Sequence, residues 1–308
     1  MSINGYIGLI GLGAIGSPLA NLLYEKYRDR FVLLANDEIA EKLKNVYING
    51  KIFNPRIITP FDNINISFDI IFICVKNYSL KNCVDTIFSF VKPNTLLFPL
   101  QNGVYSYNFF REKFPNNIIL EGFAQGPNTR IFKNNIVYQN PGEYYLGKNN
   151  ENYKHYAYET YKLLKNANIP CHLEDDIRHS IWKKMMLNVA GNALTALTGL
   201  DYVMFNKSTE AKDICNKIMS EFVLIAKTQE ITITDEDIQE VFNYFIKYDK
   251  SKLTSMLEDV LNNRETENEY IAGYINKLAV DNDIEVPYIN TLYQLMKIKE
   301  DVYLGHLN

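Results

Sequence analysis

A glycine-rich stretch near the start of the chain constrains the fold more than any other feature. It follows an apolar run at 6–10 and precedes a helical pattern that begins at Ser17. In this strand–turn–helix context, Gly11 makes the sharp turn, Gly13 lets a backbone approach a pyrophosphate, and Gly16 lets the helix pack closely. The helix N-terminus offers N–H groups and the positive end of its dipole to phosphates. A turn without a ligand is the alternative, but we predict a dinucleotide site at Gly11, Leu12, Gly13, Ala14, Ile15 and Gly16.

The remainder of the first half alternates between strand and helix patterns. Continuous apolar runs predict buried parallel strands at 31–35, 69–75, 95–98 and 118–120. Helical patterns lie at 38–46, 79–91, 104–114 and 153–166. Between 123 and 147, short β segments alternate with turn residues, which predicts an antiparallel extension of the sheet.

The pattern changes at about Asp175, beyond which strand-like runs almost vanish. Helices are predicted near 176–198, 207–229, 235–247, 255–262, 267–282 and 288–303. The predicted fold class is therefore α/β. A doubly wound, Rossmann-type parallel sheet domain over 1–174 is followed by an all-helical substrate-binding domain over 175–308. We expect the catalytic cleft between the two domains.

Composition excludes several functional classes. The 308 residues carry a formal net charge of −4, which gives no footprint for nucleic acid or an anionic membrane. The apolar runs fall short of the roughly 20 residues of a membrane span. The cysteines are far apart in the sequence, so we predict neither a metal site nor disulfides. This cysteine usage fits a reducing compartment, and we therefore expect a cytoplasmic location. A small molecule is the expected partner, and a homodimer stays open.

A polar stripe on an otherwise apolar helix is the second informative feature. Lys184, Asn188 and Asn192 are spaced at i, i+4 and i+8 and so share one helix face. Asparagine is a poor residue in the interior of a helix, and buried amides need hydrogen-bond partners. The stripe either faces the cleft, or its amides bond to neighbouring loops while Lys184 reaches solvent.

Four further polar residues each have a functional and a structural interpretation. Lys76 follows the strand at 69–75, where ligands bind in open α/β sheets, but it could be a solvated lysine. Asn102 lies in Gln-Asn-Gly, which is also a turn signal. Ser255 fits the start of a capping box, and Glu267 could simply complement a helix dipole.

Taken together and in order, these motifs resemble the ketopantoate reductase (2-dehydropantoate 2-reductase) family over nearly the whole chain. The resemblance implies that Lys184 is the catalytic lysine. It further implies that Asn188, Asn192, Ser255 and Glu267 contact the substrate, Glu267 also supporting catalysis. Lys76 and Asn102 would then lie beside the nicotinamide and the reacting carbonyl.

Two positions depart from the family pattern. Lys252 stands where the family often has asparagine, three residues before the serine. Asn36 and Asp37 end the second strand, where many members carry an arginine for the 2′-phosphate of NADPH. The resemblance implies NADP(H), whereas Asp37 suits the ribose hydroxyl of NAD(H). We therefore expect weak discrimination between the two, with Asn36 and Asp37 as cofactor contacts.

The implied reaction is hydride transfer from NAD(P)H to the keto group of ketopantoate, which gives pantoate for pantothenate and coenzyme A biosynthesis. A lysine that is partly buried beside another cation has a lowered pKa and can protonate the developing alkoxide. Lys184 would take this role, with Lys76 as the second cation. The alternatives are a D-2-hydroxyacid dehydrogenase for another branched 2-keto acid and a nucleotide-sensing module without turnover.

Overall fold

The computed structural model describes residues 3–62, 66–148, 153–248 and 251–307. The chain divides into two compact units. The first comprises residues 1–102 and 106–177, and the second comprises residues 103–105 and 178–308. The second unit thus includes a short piece of chain that immediately follows Asn102.

The first unit is built from parallel and antiparallel strands with flanking helices. Its strands are β1 (Tyr6–Ile10), β2 (Phe31–Leu34), β3 (Val46–Ile48), β4 (Lys51–Phe53), β5 (Arg56–Ile58), β6 (Phe68–Ile73), β7 (Leu96–Pro99), β8 (Gly122–Gln125), β9 (Asn128–Phe132), β10 (Asn135–Asn140), β11 (Glu143–Gly147) and β12 (Cys171–Glu174). The helices of this part of the chain are α1 (Gly16–Tyr27), α2 (Asp37–Lys42), α3 (Leu80–Ile87), α4 (Tyr105–Lys113) and α5 (Lys154–Asn166).

The central sheet has the order β5-β2-β1-β6-β7, and its neighbouring strands are all parallel. Strands β2 and β7 are buried along their whole length, which explains their continuous apolar sequences. The chain leaves β1 towards β2 on one side and continues from β6 to β7 on the other. The strand order therefore reverses between β1 and β6, which is the point where such sheets bind ligands beyond their carboxyl ends.

The predicted antiparallel extension of this sheet was wrong. The segment instead contributes to two separate sheets, β4-β3-β10-β9 and β12-β11-β8. The first forms because residues 46–53 make a β3–β4 hairpin, whose turn is Asn49-Gly50 with φ of 48° and 76°. Two residues with positive φ are what a tight hairpin requires. Strand β10 then pairs with β3 rather than with the central sheet. The strand predicted at 118–120 is reduced to an isolated bridge between Leu97 and Ile119.

The second unit is helical. Its helices are α6 (Ile177–Thr198), α7 (Tyr202–Lys207), α8 (Thr209–Thr228), α9 (Asp235–Ile246), α10 (Ser255–Leu261), α11 (Asn268–Asp281) and α12 (Pro287–Leu304). The α6 residues Trp182, Met185 and Met186 are buried in its core. At Gly191 the helix comes so close to Phe245 that a Cβ would collide with the ring. The structure confirms the predicted fold class, a doubly wound sheet followed by helices.

The described helices also bear on membrane association. In the part of the chain that the structure describes, no helix combines the length and the apolarity needed to cross a membrane.

Candidate functional site

The glycine-rich turn lies at the carboxyl end of β1, at the reversal point of the sheet. Gly11 has φ of +98°, and a Cβ there would lie 2.7 Å from the backbone nitrogen of Val75. A Cβ on Gly16, the first residue of α1, would collide with the Gly11 carbonyl oxygen. A Cβ on Gly13, by contrast, would meet its nearest atom, the Cys74 carbonyl oxygen, only at 4.0 Å. Gly11 and Gly16 are thus demanded by the fold, whereas Gly13 leaves room for a pyrophosphate, so the turn fits a dinucleotide.

Asn36 and Asp37 lie at the carboxyl end of β2, where the α2 helix begins. The Asn36 Oδ1 accepts a hydrogen bond from the Ile39 backbone N–H at 2.9 Å and so caps this helix. Asp37 is the first helical residue and is exposed. The nearby cations Lys42 and Lys44 pair with Glu38 and Glu41, at 2.6 and 2.5 Å. Asp37 is the exposed charged residue that follows β2 most closely in the sequence.

Two buried amide side chains tie together the loops that carry Lys76 and Asn102. Asn77 donates from Nδ2 to the Asn102 carbonyl oxygen at 3.1 Å. Gln101 donates from Nε2 to the carbonyl oxygens of Ile73 and Val75, both at 3.0 Å. The loops after β6 and β7 are therefore cross-linked, and the backbones of Lys76 and Asn102 are fixed. Sequence reasoning missed both Asn77 and Gln101, although Gln101 lies inside the quoted Gln-Asn-Gly motif.

Lys184 lies in the middle of α6 and is only partly exposed. Burial of its ammonium group lowers the pKa of Lys184 to about 8, although the Glu267 carboxylate acts in the opposite direction. A lysine with such a pKa is largely protonated at neutral pH and can still give up its proton. This combination suits a general acid.

Asn188 and Asn192 lie one and two turns beyond Lys184, towards the C-terminus of α6. Their Nδ2 atoms are buried and have no hydrogen-bond partner among the described residues. An unsatisfied buried donor costs about 1–3 kcal/mol, and a carboxylate or hydroxyl oxygen of a ligand would remove that cost. Bonds to neighbouring loops therefore do not account for these two nitrogens. Lys184, Asn188 and Asn192 are called the amide stripe below.

Glu267 immediately precedes α11 and is buried, with only 5% of its surface exposed. Its side chain makes no capping hydrogen bond to the helix. Both neighbours of Glu267 are anchored to α12. The Thr266 backbone N–H donates to Glu300 at 2.5 Å, and Asn268 Nδ2 donates to the Tyr293 carbonyl oxygen at 3.0 Å. The α12 helix thus fixes the segment that carries the carboxylate near Lys184.

Ser255 is the first residue of α10 and is exposed. The interpretation of Ser255 as the helix cap was wrong, because Thr254 is the cap. The Thr254 Oγ1 accepts from the Leu257 backbone N–H at 3.3 Å and lies 2.8 Å from the Thr195 hydroxyl of α6. The Ser255 hydroxyl is therefore not needed to start the helix.

Lys252, the first departure from the family pattern, is held by tyrosines. Its ammonium group donates to the hydroxyls of Tyr248 at 2.7 Å and Tyr244 at 3.3 Å. The same group lies 4.3 Å from the centre of the Tyr248 ring, within range of a cation–π interaction. A fixed cation replaces a neutral amide at this position.

Within the described ranges, His, Cys, Asp and Glu side chains nowhere gather in groups of three or more that could hold a metal ion. The doubly wound sheet and the glycine turn at its reversal point define a dinucleotide-dependent enzyme. A lysine of lowered pKa, Lys184, lies in the helical unit.

Comparison with known proteins identifies the family. The model described as "Ketopantoate reductase PanE/ApbA" matches residues 7–151, and the one described as "Ketopantoate reductase PanE/ApbA C terminal" matches residues 176–300. The chain belongs to the ketopantoate reductase family, as its motifs predicted.

Three distant relatives align with this chain over nearly their full length. The 2-dehydropantoate 2-reductase of Yersinia pestis is 22% identical over 304 residues, covering 96% of each chain. A ternary structure of D-mandelate dehydrogenase with NADH and anilino(oxo)acetate has a TM-score of 0.86 at 22% identity, covering 97% of this chain and 99% of that one. A dimeric ketopantoate reductase from Staphylococcus aureus has a TM-score of 0.80 at 18% identity, with the same coverage.

These findings confirm the predicted enzyme class. The chain is an oxidoreductase of the 2-dehydropantoate 2-reductase type, which acts on a 2-keto acid with a nicotinamide dinucleotide. The roles of individual residues stay predictions.

Proposed function

We propose that this protein reduces the keto group of ketopantoate to give pantoate, for pantothenate and coenzyme A biosynthesis. The observation that carries the proposal is the amide stripe: Lys184, whose pKa is lowered to about 8, shares a helix face with two amides whose nitrogens are buried and unsatisfied. The cysteines are all free and buried, which suits a reducing compartment, so we place the reaction in the cytoplasm.

When bound, the nicotinamide supplies a hydride to the keto carbon. The carbonyl oxygen then takes up a proton, and Lys184 donates it from Nζ. An acid is most effective when its pKa lies near the working pH, which a value of about 8 satisfies. Glu267 limits the fall of this pKa, so that Lys184 stays mostly charged at neutral pH. Without Glu267 the burial of Lys184 would deplete the acid form.

The remaining site residues orient the substrate. Asn188 and Asn192 donate amide hydrogens to the substrate carboxylate and hydroxyl, and Ser255 offers an exposed hydroxyl. None of these three groups titrates near neutral pH, so their own hydrogen-bonding capacity does not change over the working range. Family resemblance assigns Lys76 and Asn102 of the dinucleotide-binding unit to the nicotinamide, and Asn77 and Gln101 fix the loops that carry them.

The glycine turn, Asn36 and Asp37 would hold the dinucleotide. Asp37 is an exposed carboxylate, which suits the ribose hydroxyls of NADH. Family resemblance favours NADPH. We therefore propose that the enzyme uses both, with little preference.

Lys252 is the reason to consider a second class of substrate. A fixed cation replaces the usual asparagine there, and the D-mandelate dehydrogenase that resembles this chain was solved with a different keto-acid-like compound. The alternative is a D-2-hydroxyacid dehydrogenase for another branched 2-keto acid.

A substrate panel tests the proposal. The purified enzyme is mixed with NADH or NADPH and with ketopantoate, other branched 2-keto acids or phenylglyoxylate, and the loss of reduced-nicotinamide absorbance is followed. The highest kcat/KM with ketopantoate is expected. A higher value with another keto acid would select the alternative, and no turnover with any of them would refute both.

We also propose that the enzyme is a homodimer, as the relative from Staphylococcus aureus is. The α12 residues Leu295, Ile298 and Val302 share one helix face and are 46%, 56% and 64% exposed. An apolar stripe of this kind favours association. Sedimentation at micromolar concentration should give a dimer, and a monomer would contradict the proposal.

A further inference from the structure

Four consecutive carbonyl oxygens of the glycine-rich turn, those of residues 12–15, are each bonded to a donor of the protein itself. The Ser17 backbone N–H donates to the Gly13 carbonyl at 3.0 Å, and the Ser17 hydroxyl donates to the Leu12 carbonyl at 2.9 Å. Two donors come from far along the chain. The Thr129 hydroxyl donates to the Ala14 carbonyl at 2.8 Å, and the Tyr144 hydroxyl donates to the Ile15 carbonyl at 3.1 Å.

The two distant donors belong to different sheets. Thr129 is on β9, in the β4-β3-β10-β9 sheet, and Tyr144 is on β11, in the β12-β11-β8 sheet. A second contact fixes the first of these sheets on α1, because Asn21 Nδ2 lies 3.1 Å from the Tyr138 hydroxyl of β10. Tyr144 is fully buried, and burial keeps the pKa of its phenol well above the ordinary value, so it remains a donor.

The chemistry of an anion site explains why these bonds matter. A carbonyl oxygen pointing at a pyrophosphate would repel it, whereas an N–H group attracts it. Because a peptide unit is planar, a donor that fixes a carbonyl also fixes the direction of the N–H group in the same peptide unit. Such preorganisation lowers the cost of ordering the turn when the anion binds.

We propose that Thr129 and Tyr144 are positioning residues that preorganise the glycine turn for the pyrophosphate of the dinucleotide. Neither residue contacts the ligand in this account, since each acts through the carbonyl that it bonds. The proposal rests on the dinucleotide binding in the proposed function but not on the identity of the keto acid. It also gives the two sheets that the sequence did not predict a role in cofactor binding.

The test measures binding without turnover. ADP-ribose, which contains the pyrophosphate but no nicotinamide, is titrated calorimetrically into the wild type and into Thr129→Val, which removes the hydroxyl and keeps a β-branched side chain. We expect Thr129→Val to weaken binding about 3- to 10-fold, as for the loss of one hydrogen bond. Thr129→Ser should restore the wild-type affinity. Thr86→Val is the matched control, because the Thr86 hydroxyl bonds only within its own helix, to the Asn82 carbonyl.

The outcomes separate this proposal from the proposed function. Affinity of Thr129→Val within twofold of the wild type, or an equal loss in Thr86→Val, would overturn the positioning role. Should Thr129→Val fail to fold, Tyr144→Phe carries the same test, with the same expected loss and the same overturning result. A folded wild type that does not bind ADP-ribose would overturn dinucleotide binding itself, whereas normal binding without turnover of any keto acid would overturn only the proposed substrate.

Discussion

Lys183 and Lys184 are consecutive residues of α6, yet their surroundings move their pKa values in opposite directions. Burial alone would lower the pKa of Lys183, but hydrogen bonds to Glu240 at 2.8 Å and to Asp237 at 3.3 Å raise it. Burial lowers the pKa of Lys184 to about 8, against the effect of Glu267. Consecutive residues point about 100° apart on a helix, so each lysine meets a different environment. One is a surface ion pair, and the other is a candidate acid.

The rate of keto-acid reduction should depend on pH through the titration of Lys184. If Lys184 donates the proton, reduction requires its charged form, which predominates below pH about 8 and is lost above it. The kcat/KM for keto-acid reduction, which reports the pKa values of the free enzyme, should therefore be level in the neutral range and fall tenfold for each pH unit well above this value. A profile that stays level to pH about 10, where an ordinary lysine titrates, would contradict the assignment.

Glu267→Gln tests the same titration by changing the carboxylate that raises the Lys184 pKa. Removing the carboxylate removes the influence that raises the Lys184 pKa, so the alkaline fall should move to lower pH. Glu269→Gln is the matched control, since this glutamate is exposed and pairs with Lys297 on α12. Equal shifts of the profile in the two variants, or an upward shift in Glu267→Gln, would contradict the influence of Glu267 on Lys184.

Ser255 and Thr254 are adjacent, and we expect substitutions at the two positions to affect different properties of the enzyme. Ser255→Ala should raise KM for the keto acid and leave Tm unchanged, because Thr254 caps the helix. Thr254→Val should lower Tm by about 2–4 °C, because a lost cap costs about 1 kcal/mol, and leave KM nearly unchanged. Kinetics and thermal denaturation of both variants check this. The reverse pattern would return the capping role to Ser255.

We expect the cofactor preference to depend on Asp37. We expect the kcat/KM values for NADH and NADPH to differ by less than about 100-fold, which corresponds to roughly 2.7 kcal/mol. Asp37→Arg should move the ratio towards NADPH, because it replaces an exposed carboxylate with a bidentate phosphate ligand. Glu41→Arg makes the same charge change on the same helix and should move it less. A wild-type preference for NADPH above about 1,000-fold would show that Lys42, Lys44 or another cation already binds the 2′-phosphate.

Much of the fold could be predicted because its signals are local. The glycine turn between β1 and α1 is specified within a dozen residues, and the apolar runs at 31–35 and 69–75 predicted the buried strands. The β3–β4 hairpin also has a local signal, Asn49-Gly50 between two apolar runs, but no element was predicted there. The pairing of β3 with β10 has none, because it joins residues almost ninety positions apart.

The same distinction holds for the candidate site. The amide stripe follows from helical spacing, so Lys184, Asn188 and Asn192 could be grouped from the sequence. The Lys184 pKa could not be predicted, since it depends on burial by other elements and on a carboxylate more than eighty residues away. The bonds from Thr129 and Tyr144 to the glycine turn span more than a hundred residues each. Only the folded chain brings them together.

The most direct test of the account is the kcat of Lys184→Ala, with Lys183→Ala as its control. Loss of a general acid typically lowers the rate about 10²–10⁴-fold, so Lys184→Ala should fall by that factor while its affinity for reduced dinucleotide, measured by fluorescence titration, stays near the wild type. Lys183→Ala removes only the ion pairs with Asp237 and Glu240 and should keep nearly full activity. A kcat for Lys184→Ala within threefold of the wild type would show that Lys184 is not the acid.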